Sequence, residues 1–393
     1  MSVSPSRSLP WALIGAACLG SFAATSSGTT RAPFLLEMSH DLGVSMPLVA
    51  NLVSLTAMAW GVTSALGGWM SDVIGRRPVL LVAPFVLALV LVAQAAAGSF
   101  FWVAVWAAVG GGCAGAFTGV VFAEVSARVP DGQRGRALGW VMSGQSLTLV
   151  VGIPMAAAVG ALIGWRGWLL CVAGLSIAAV LSLFLTLGRA SAGHRQSSAA
   201  RRPSMRSALS PQVLGLLGTG VAERICYGLA VIYFATFMQV TYHMTLLELA
   251  LPLAVFALGN VAGTLLGGQL ADRLRDRLLT FAVAMALSGA AALLLFTWQP
   301  GPAVSVAVGF VYVLLNALGR PSFMASLASV PENVRGTVLG LNGTSASVGW
   351  IGAAALGAVM IGSGGFEGFG PLTALLALLG AAGALISRRS RAA

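Results

Sequence analysis

The sequence contains no lysine, only 11 acidic residues, and charged residues at just 8% of its 393 positions. Soluble domains carry about 25%. So little charge cannot clothe a surface in water, which argues against a cytosolic enzyme or a disordered chain. Cysteine is equally sparse. Cys18, Cys113, Cys171 and Cys226 each stand alone in an apolar run, with no C-x-x-C or metal spacing. They read as packing residues, which argues against a secreted disulfide scaffold. The three histidines, His40, His194 and His243, fall in polar connections. No H-E-x-x-H, Ser–His pair or carboxylate cluster lies in an apolar run, so no metal, cofactor or catalytic residue is expected. There is also no P-loop, so ATP is not the expected energy source.

What is abundant is apolar surface: 58% hydrophobic residues and a mean hydropathy of +0.91. A bilayer-spanning helix needs about 20 mostly apolar residues. Twelve runs qualify: 10–36, 46–70, 78–98, 100–127, 136–161, 166–187, 211–239, 246–271, 278–299, 302–329, 335–361 and 368–387. The polar, basic segment 188–210 divides six from six. The expected organisation is therefore a bundle at 1–187, a cytoplasmic linker at 188–210, and a second bundle with a short basic tail at 211–393. Residues 8–25 also have the composition of a cleaved leader, whose loss would leave eleven spans. With the N-terminus inside, 18 of the 22 arginines fall on the cytoplasmic side, leaving Arg31, Arg166, Arg224 and Arg320. That asymmetry predicts an all-α membrane protein with both termini cytoplasmic. It explains the net charge of +11 without nucleic acid. The expected surroundings are lipid, and the expected state is a monomer.

The halves repeat. Gly68 and Asp72 in GWMSD return as Gly268 and Asp272 in GQLAD, and Pro130-x3-Arg134-Gly135-x2-Leu138-Gly139 returns as Pro331-x3-Arg335-Gly336-x2-Leu339-Gly340. Parallel repeats of this kind build transporters whose solute site lies at the repeat interface near the midplane. Gly68-x3-Asp72-x2-Gly75-Arg76-Arg77 resembles the cytoplasmic loop signature of the major facilitator superfamily. Gly144-Gln-Ser-Leu-Thr-Leu-Val-Val-Gly152-Ile-Pro154, with Gly160 beyond it, is similar to the fifth-span motif of its drug:proton antiporters, notably the sugar-efflux and arabinose-efflux-like members. Ile153 replaces the glycine usual before that proline, and Asp276 stands where the first half has Arg76. The resemblance implies two pseudo-symmetric six-helix bundles. It also implies a loop (Gly68, Asp72, Gly75, Arg76, Arg77, with Glu124 and Asp272) that latches conformations, and a bent fifth span (Gly144, Gly152, Pro154, Gly160) that limits proton leak. The plainer readings are the positive-inside rule for the loop and an ordinary kink for the span.

Charge inside a span costs roughly 2.5–3.5 kcal/mol on insertion scales and needs a reason. Arg31, Glu124, Glu223, Arg224 and Arg320 all fall on the first helix of a consecutive triplet of spans. In the resembled family these helices line the central cavity. At about 1.5 Å per residue, Glu223 lies roughly 18 Å and Arg320 roughly 14 Å from the cytoplasmic edge. Both are near the middle of a core about 30 Å thick. Glu124 is roughly 8 Å from that edge and is expected to meet Arg76 or Arg77. Tyr312, Asn316 and Arg320 share one helix face, and Glu223 and Tyr227 another. Arg224, about 100° around from Glu223, is expected to point elsewhere, and Arg31 to snorkel outward. Gln145 and Asn260, with Asn51 and Asn342, stand ready to flank a site. Glu223 reads as a proton carrier or a fixed ion pair, and Arg320 and Arg224 as ligands for an anionic solute or its counter-charges. The expected activity is proton-coupled efflux of a small organic solute, with uptake or exchange of an organic anion second. A polytopic enzyme or a channel is the remote alternative.

Overall fold

A computed structural model describes residues 10–129, 133–187, 210–274, 276–329 and 332–392. Pro130, Pro331, Arg275 and nearly all of the 188–210 linker lie outside this set, as do the side chains of Asp72, Arg134 and Arg335. Backbone polar groups find no water in a bilayer, so spanning segments close their hydrogen bonds internally as helices. The elements are α1 (Trp11–Thr29), a 3-10 turn (Ala32–Phe34), α2 (Leu35–Leu42), α3 (Met46–Ala50), α4 (Leu52–Ile74), α5 (Arg76–Ala96), α6 (Phe100–Arg128), α7 (Arg134–Leu147), a π-helical turn (Thr148–Gly152) and α8 (Ile153–Thr186). They continue with α9 (Pro211–Tyr242), α10 (Ala250–Arg273), α11 (Arg277–Thr297), α12 (Pro302–Ala328), α13 (Glu332–Gly364) and α14 (Phe369–Ala392).

These make twelve spans, with three departures from the expected runs. The first stops at Thr29 rather than continuing to residue 36. Pro33 offers no N–H and disfavours helix in the residue before it, so the chain passes through the 3-10 turn into α2. The fifth is not a uniform helix. Pro154 crowds the carbonyl four residues earlier, at Val150, which lies in the π turn. The fifth and sixth spans share α8 and are parted by one residue, Gly164, at φ 70° and ψ 174°. That conformation is open to glycine and strained for other residues.

By contacts the described residues fall into two compact units. The first draws on Met1–Arg31, Met58–Gly152 and Leu162–Gln196, the second on Ala32–Ala57, Ile153–Ala161 and Ser197–Ala393. The first unit is centred on Leu13, Ile14, Phe117, Val121, Leu183 and Leu187. The second is centred on Phe281, Met285, Phe323, Leu327, Val338 and Ala377. In it, Ser54 Oγ donates to the Ile351 carbonyl at 3.3 Å and Gln239 Nε2 to that of Pro33 at 3.5 Å. Small residues set the helix spacing. A Cβ on Gly259, Gly263 or Gly267 of α10 would strike the carbonyls of Phe310, Leu314 or Leu318 on α12. Such backbone approach favours association where lipid provides no hydrophobic drive.

Candidate functional site

The second unit gathers most of the midplane candidates around one carboxylate. Glu223, 2% exposed, lies in the middle of α9. Arg320 on α12 reaches its Oε1 with both Nε (3.1 Å) and Nη2 (2.9 Å). The same guanidinium donates to Asn316 Oδ1 at 3.3 Å and to Asn260 Oδ1 on α10 at 3.4 Å. It also lies 4.5 Å over the Tyr227 ring. Glu223 and Tyr227, one turn apart on α9, therefore grip the two sides of one arginine. Tyr312 faces the same helix pair but does other work: its hydroxyl donates to the Cys226 carbonyl at 2.5 Å.

Arg224 departs from expectation. Its Nε comes within 3.5 Å of Glu223 Oε2, so one carboxylate serves two guanidinium groups. The 100° rotation separates the Cβ atoms of neighbouring residues, but an arginine stem is long enough to curl back across it. Two cations against one anion make a group whose desolvation is offset only while every member stays in place. Asn342 stands apart, with Nδ2 3.4 Å from Met324 Sδ.

The first unit holds two smaller polar groups. Arg31 does not snorkel: it is 4% exposed, and its Nη2 donates to Gln94 Oε1 at 3.3 Å. Gln94, fully buried on α5, in turn donates to the Val103 carbonyl at 3.4 Å. Sequence reasoning missed Gln94, although it is the sole strongly polar residue in its apolar run. The other group surrounds Glu124, 3% exposed on α6. Arg76 approaches at 3.7 Å as expected, but the closer partner is Arg128 at 2.6 Å, one helical turn away. The i, i+4 spacing carried that signal. Arg77 instead lies 5.7 Å over the Phe184 ring.

The remaining motif residues are dispersed. Gly68 lies within α4, and Gly75, at φ 90°, joins α4 to α5. Asp272 is exposed near the end of α10. Gln145 is half-buried on α7, in the first unit rather than with the Glu223 group. Gly144 lets α7 touch the Cys18 carbonyl of α1, Gly152 ends the π turn before Pro154, and Gly160 leaves room for the Phe34 ring. Asp276, which interrupts the repeated loop, caps α11 by accepting from Leu279 N at 3.1 Å and pairs with Arg388 at 2.5 Å. No group of three metal-ligating side chains occurs among the described residues.

Twelve helical spans among the described residues, with ionised groups buried within them, define a multi-pass membrane protein of the transporter class. A family model described as Major Facilitator Superfamily matches residues 17–354 and, overlapping, 225–392. The chain belongs to that superfamily, and it is a transporter rather than an enzyme. It is 28% identical over 316 residues to a chloramphenicol resistance protein of Streptomyces lividans, covering 76% of this chain and 79% of that one. It is 32% identical over 154 residues to a chloramphenicol efflux pump of Mycobacterium tuberculosis, covering 39% and 37%. A crystal structure of a bacterial homologue of the human lysosomal transporter Spinster, inward-facing and unoccupied, superimposes with a TM-score of 0.79 over 98% of both chains at 15% identity, a likeness of fold.

Proposed function

We propose that the protein is a proton-coupled exporter of a small organic solute in the cytoplasmic membrane. It works as a monomer by alternating access, with halves 1–187 and 211–393 as its moving parts and 188–210 as their tether. The observation that carries this reading is the Glu223 carboxylate, buried in mid-span and shared between Arg320 and Arg224. Protonation removes the negative charge that holds both guanidiniums, so Arg320 loses its ionic hold on α9, keeping only the Tyr227 ring, when Glu223 takes up a proton, and regains it when the proton leaves. A change of partner between helices links proton occupancy to helix packing. The names of the relatives support export and an organic solute.

Transport into proteoliposomes under an imposed pH gradient tests the coupling. Glu223→Gln loses gradient-driven accumulation but keeps exchange of labelled for unlabelled solute. Full gradient-driven transport by the variant would overturn the carrier role. The excess of guanidinium over carboxylate favours one second reading: exchange of an organic anion held by Arg320 and Arg224.

A further inference from the structure

Away from the Glu223 group, the second unit contains a cavity of about 710 Å³ on its arginine-rich side. Its wall comes from the end of α10, the start of α11, the end of α12 and the end of α14, with Arg273, Arg277 and Arg388 as its cations. Asp276 is committed to the α11 cap and to Arg388 Nε, which leaves the terminal nitrogens of Arg388 available. Arg277 uses Nε on the Ala271 carbonyl at 3.4 Å, so its fork is likewise left over. Arg273 makes no ion pair among the described residues. The hydroxyl-bearing Ser326 and Ser329 complete the polar wall. Among the described wall residues, three guanidiniums against one uncommitted carboxylate, Asp272, favour an anion, and forked donors suit phosphate oxygens.

The surface below the cavity identifies the rest of the ligand. Beyond Arg277 on α11, Leu279, Val283 and Leu287 recur every four residues on one face and are 39%, 49% and 50% exposed. Leu274, at the cavity edge, is 46% exposed. An exposed apolar track thus leads along α11 away from its cavity end, with Leu274 at the cavity edge, as an acyl chain would require. The volume lies in the range of small-molecule sites, about 300–1,000 Å³. Basic pockets at the cytoplasmic ends of spanning helices are suited to acidic headgroups. We propose that this cavity is a binding site for the phosphate headgroup of an anionic phospholipid of the inner leaflet.

The full chain in phosphatidylcholine nanodiscs, doped with phosphatidylglycerol of the same acyl chains, tests this by native mass spectrometry. Wild type retains phosphatidylglycerol in preference to phosphatidylcholine. Arg273→Gln/Arg277→Gln lowers its occupancy about tenfold or more, given the attraction of each arginine near a membrane surface. Arg273→Gln alone gives a smaller loss and disturbs no described contact, so it serves if the double variant folds poorly. Arg136→Gln, at the surface over Trp11, leaves occupancy unchanged and controls for bulk charge. Glycerol 3-phosphate fails to displace the lipid. Equal phosphatidylglycerol retention by wild type and the arginine variants, or an equal loss in Arg136→Gln, overturns the site. Displacement by glycerol 3-phosphate overturns the assignment to lipid.

Discussion

Glu223 and Glu124 have the same immediate composition: one carboxylate, 3% exposed at the side chain, and two arginines within 4 Å. Their connectivity differs. Glu124 is held most closely from its own helix, and its arginines are 28% and 29% exposed, so water shares the work of solvating them. Glu223 is held most closely from another helix, and Arg320 is 16% exposed and further bound by Asn316, Asn260 and Tyr227. The first arrangement is a local clasp that melts or forms with one turn of α6. The second ties α9, α10 and α12 to a single charge state.

The sharpest way to break this comparison is to remove one cation from each group. Arg320→Ala leaves Glu223 without its principal partner in mid-membrane and is expected to cost about 3–5 kcal/mol of stability, with loss of transport. Thermal denaturation and uptake by the same preparation check it. Loss no greater than that from Arg128→Ala would put the two groups on one footing. A smaller effect comes from a double-mutant cycle on Glu124 and Arg128. Partial exposure and the i, i+4 geometry predict a coupling of about 0.3–1 kcal/mol. A coupling several times larger would mean that the rim of the first unit is as dry as the middle of the second.

The smallest effect is expected at Glu248, an exposed carboxylate that marks the limit of the series. It accepts from the Thr245 backbone N–H at 2.7 Å and from the Thr245 hydroxyl at 2.8 Å, while its own N–H returns to that hydroxyl at 3.4 Å. This capping box ahead of α10 holds the carboxyl below its ordinary value, chiefly through the backbone hydrogen bond. A depressed folded-state value means the contribution is present above the unfolded value and lost as pH falls through the folded one. The hydrogen-exchange protection factors of the Thr245 and Glu248 amides, with the intrinsic pH dependence of exchange divided out, should therefore fall only in acid, below the usual carboxylate range. A fall in those protection factors on the alkaline side would contradict the capping geometry.

Hydropathy alone located the spans, because hydrocarbon forbids most alternatives for an apolar run of 20 residues. The Arg320–Glu223 pair was legible for a related reason: two isolated opposite charges at similar depth have few places to go. Arg224 was misread because rotation about the helix axis fixes where a side chain begins and leaves its end free. Gln94 was missed because the amides considered were those of the second, fifth, eighth and eleventh spans, whereas the amide that Arg31 meets lies on the third. The Thr148–Gly152 turn and the Gly164 break were invisible to hydropathy, since backbone irregularity changes no residue's polarity.

That break has a mechanical consequence. A membrane hairpin usually has a loop of several residues to absorb twist, and α8 has one glycine. Two residues beyond it, Arg166 stacks 4.3 Å over the Trp165 ring and donates to the Ala95 and Ala97 carbonyls at 3.2 and 3.0 Å, tying the corner to the end of α5. With no slack at the bend and an anchor immediately after it, torque applied to the fifth span passes to the sixth and third at this corner instead of being dissipated.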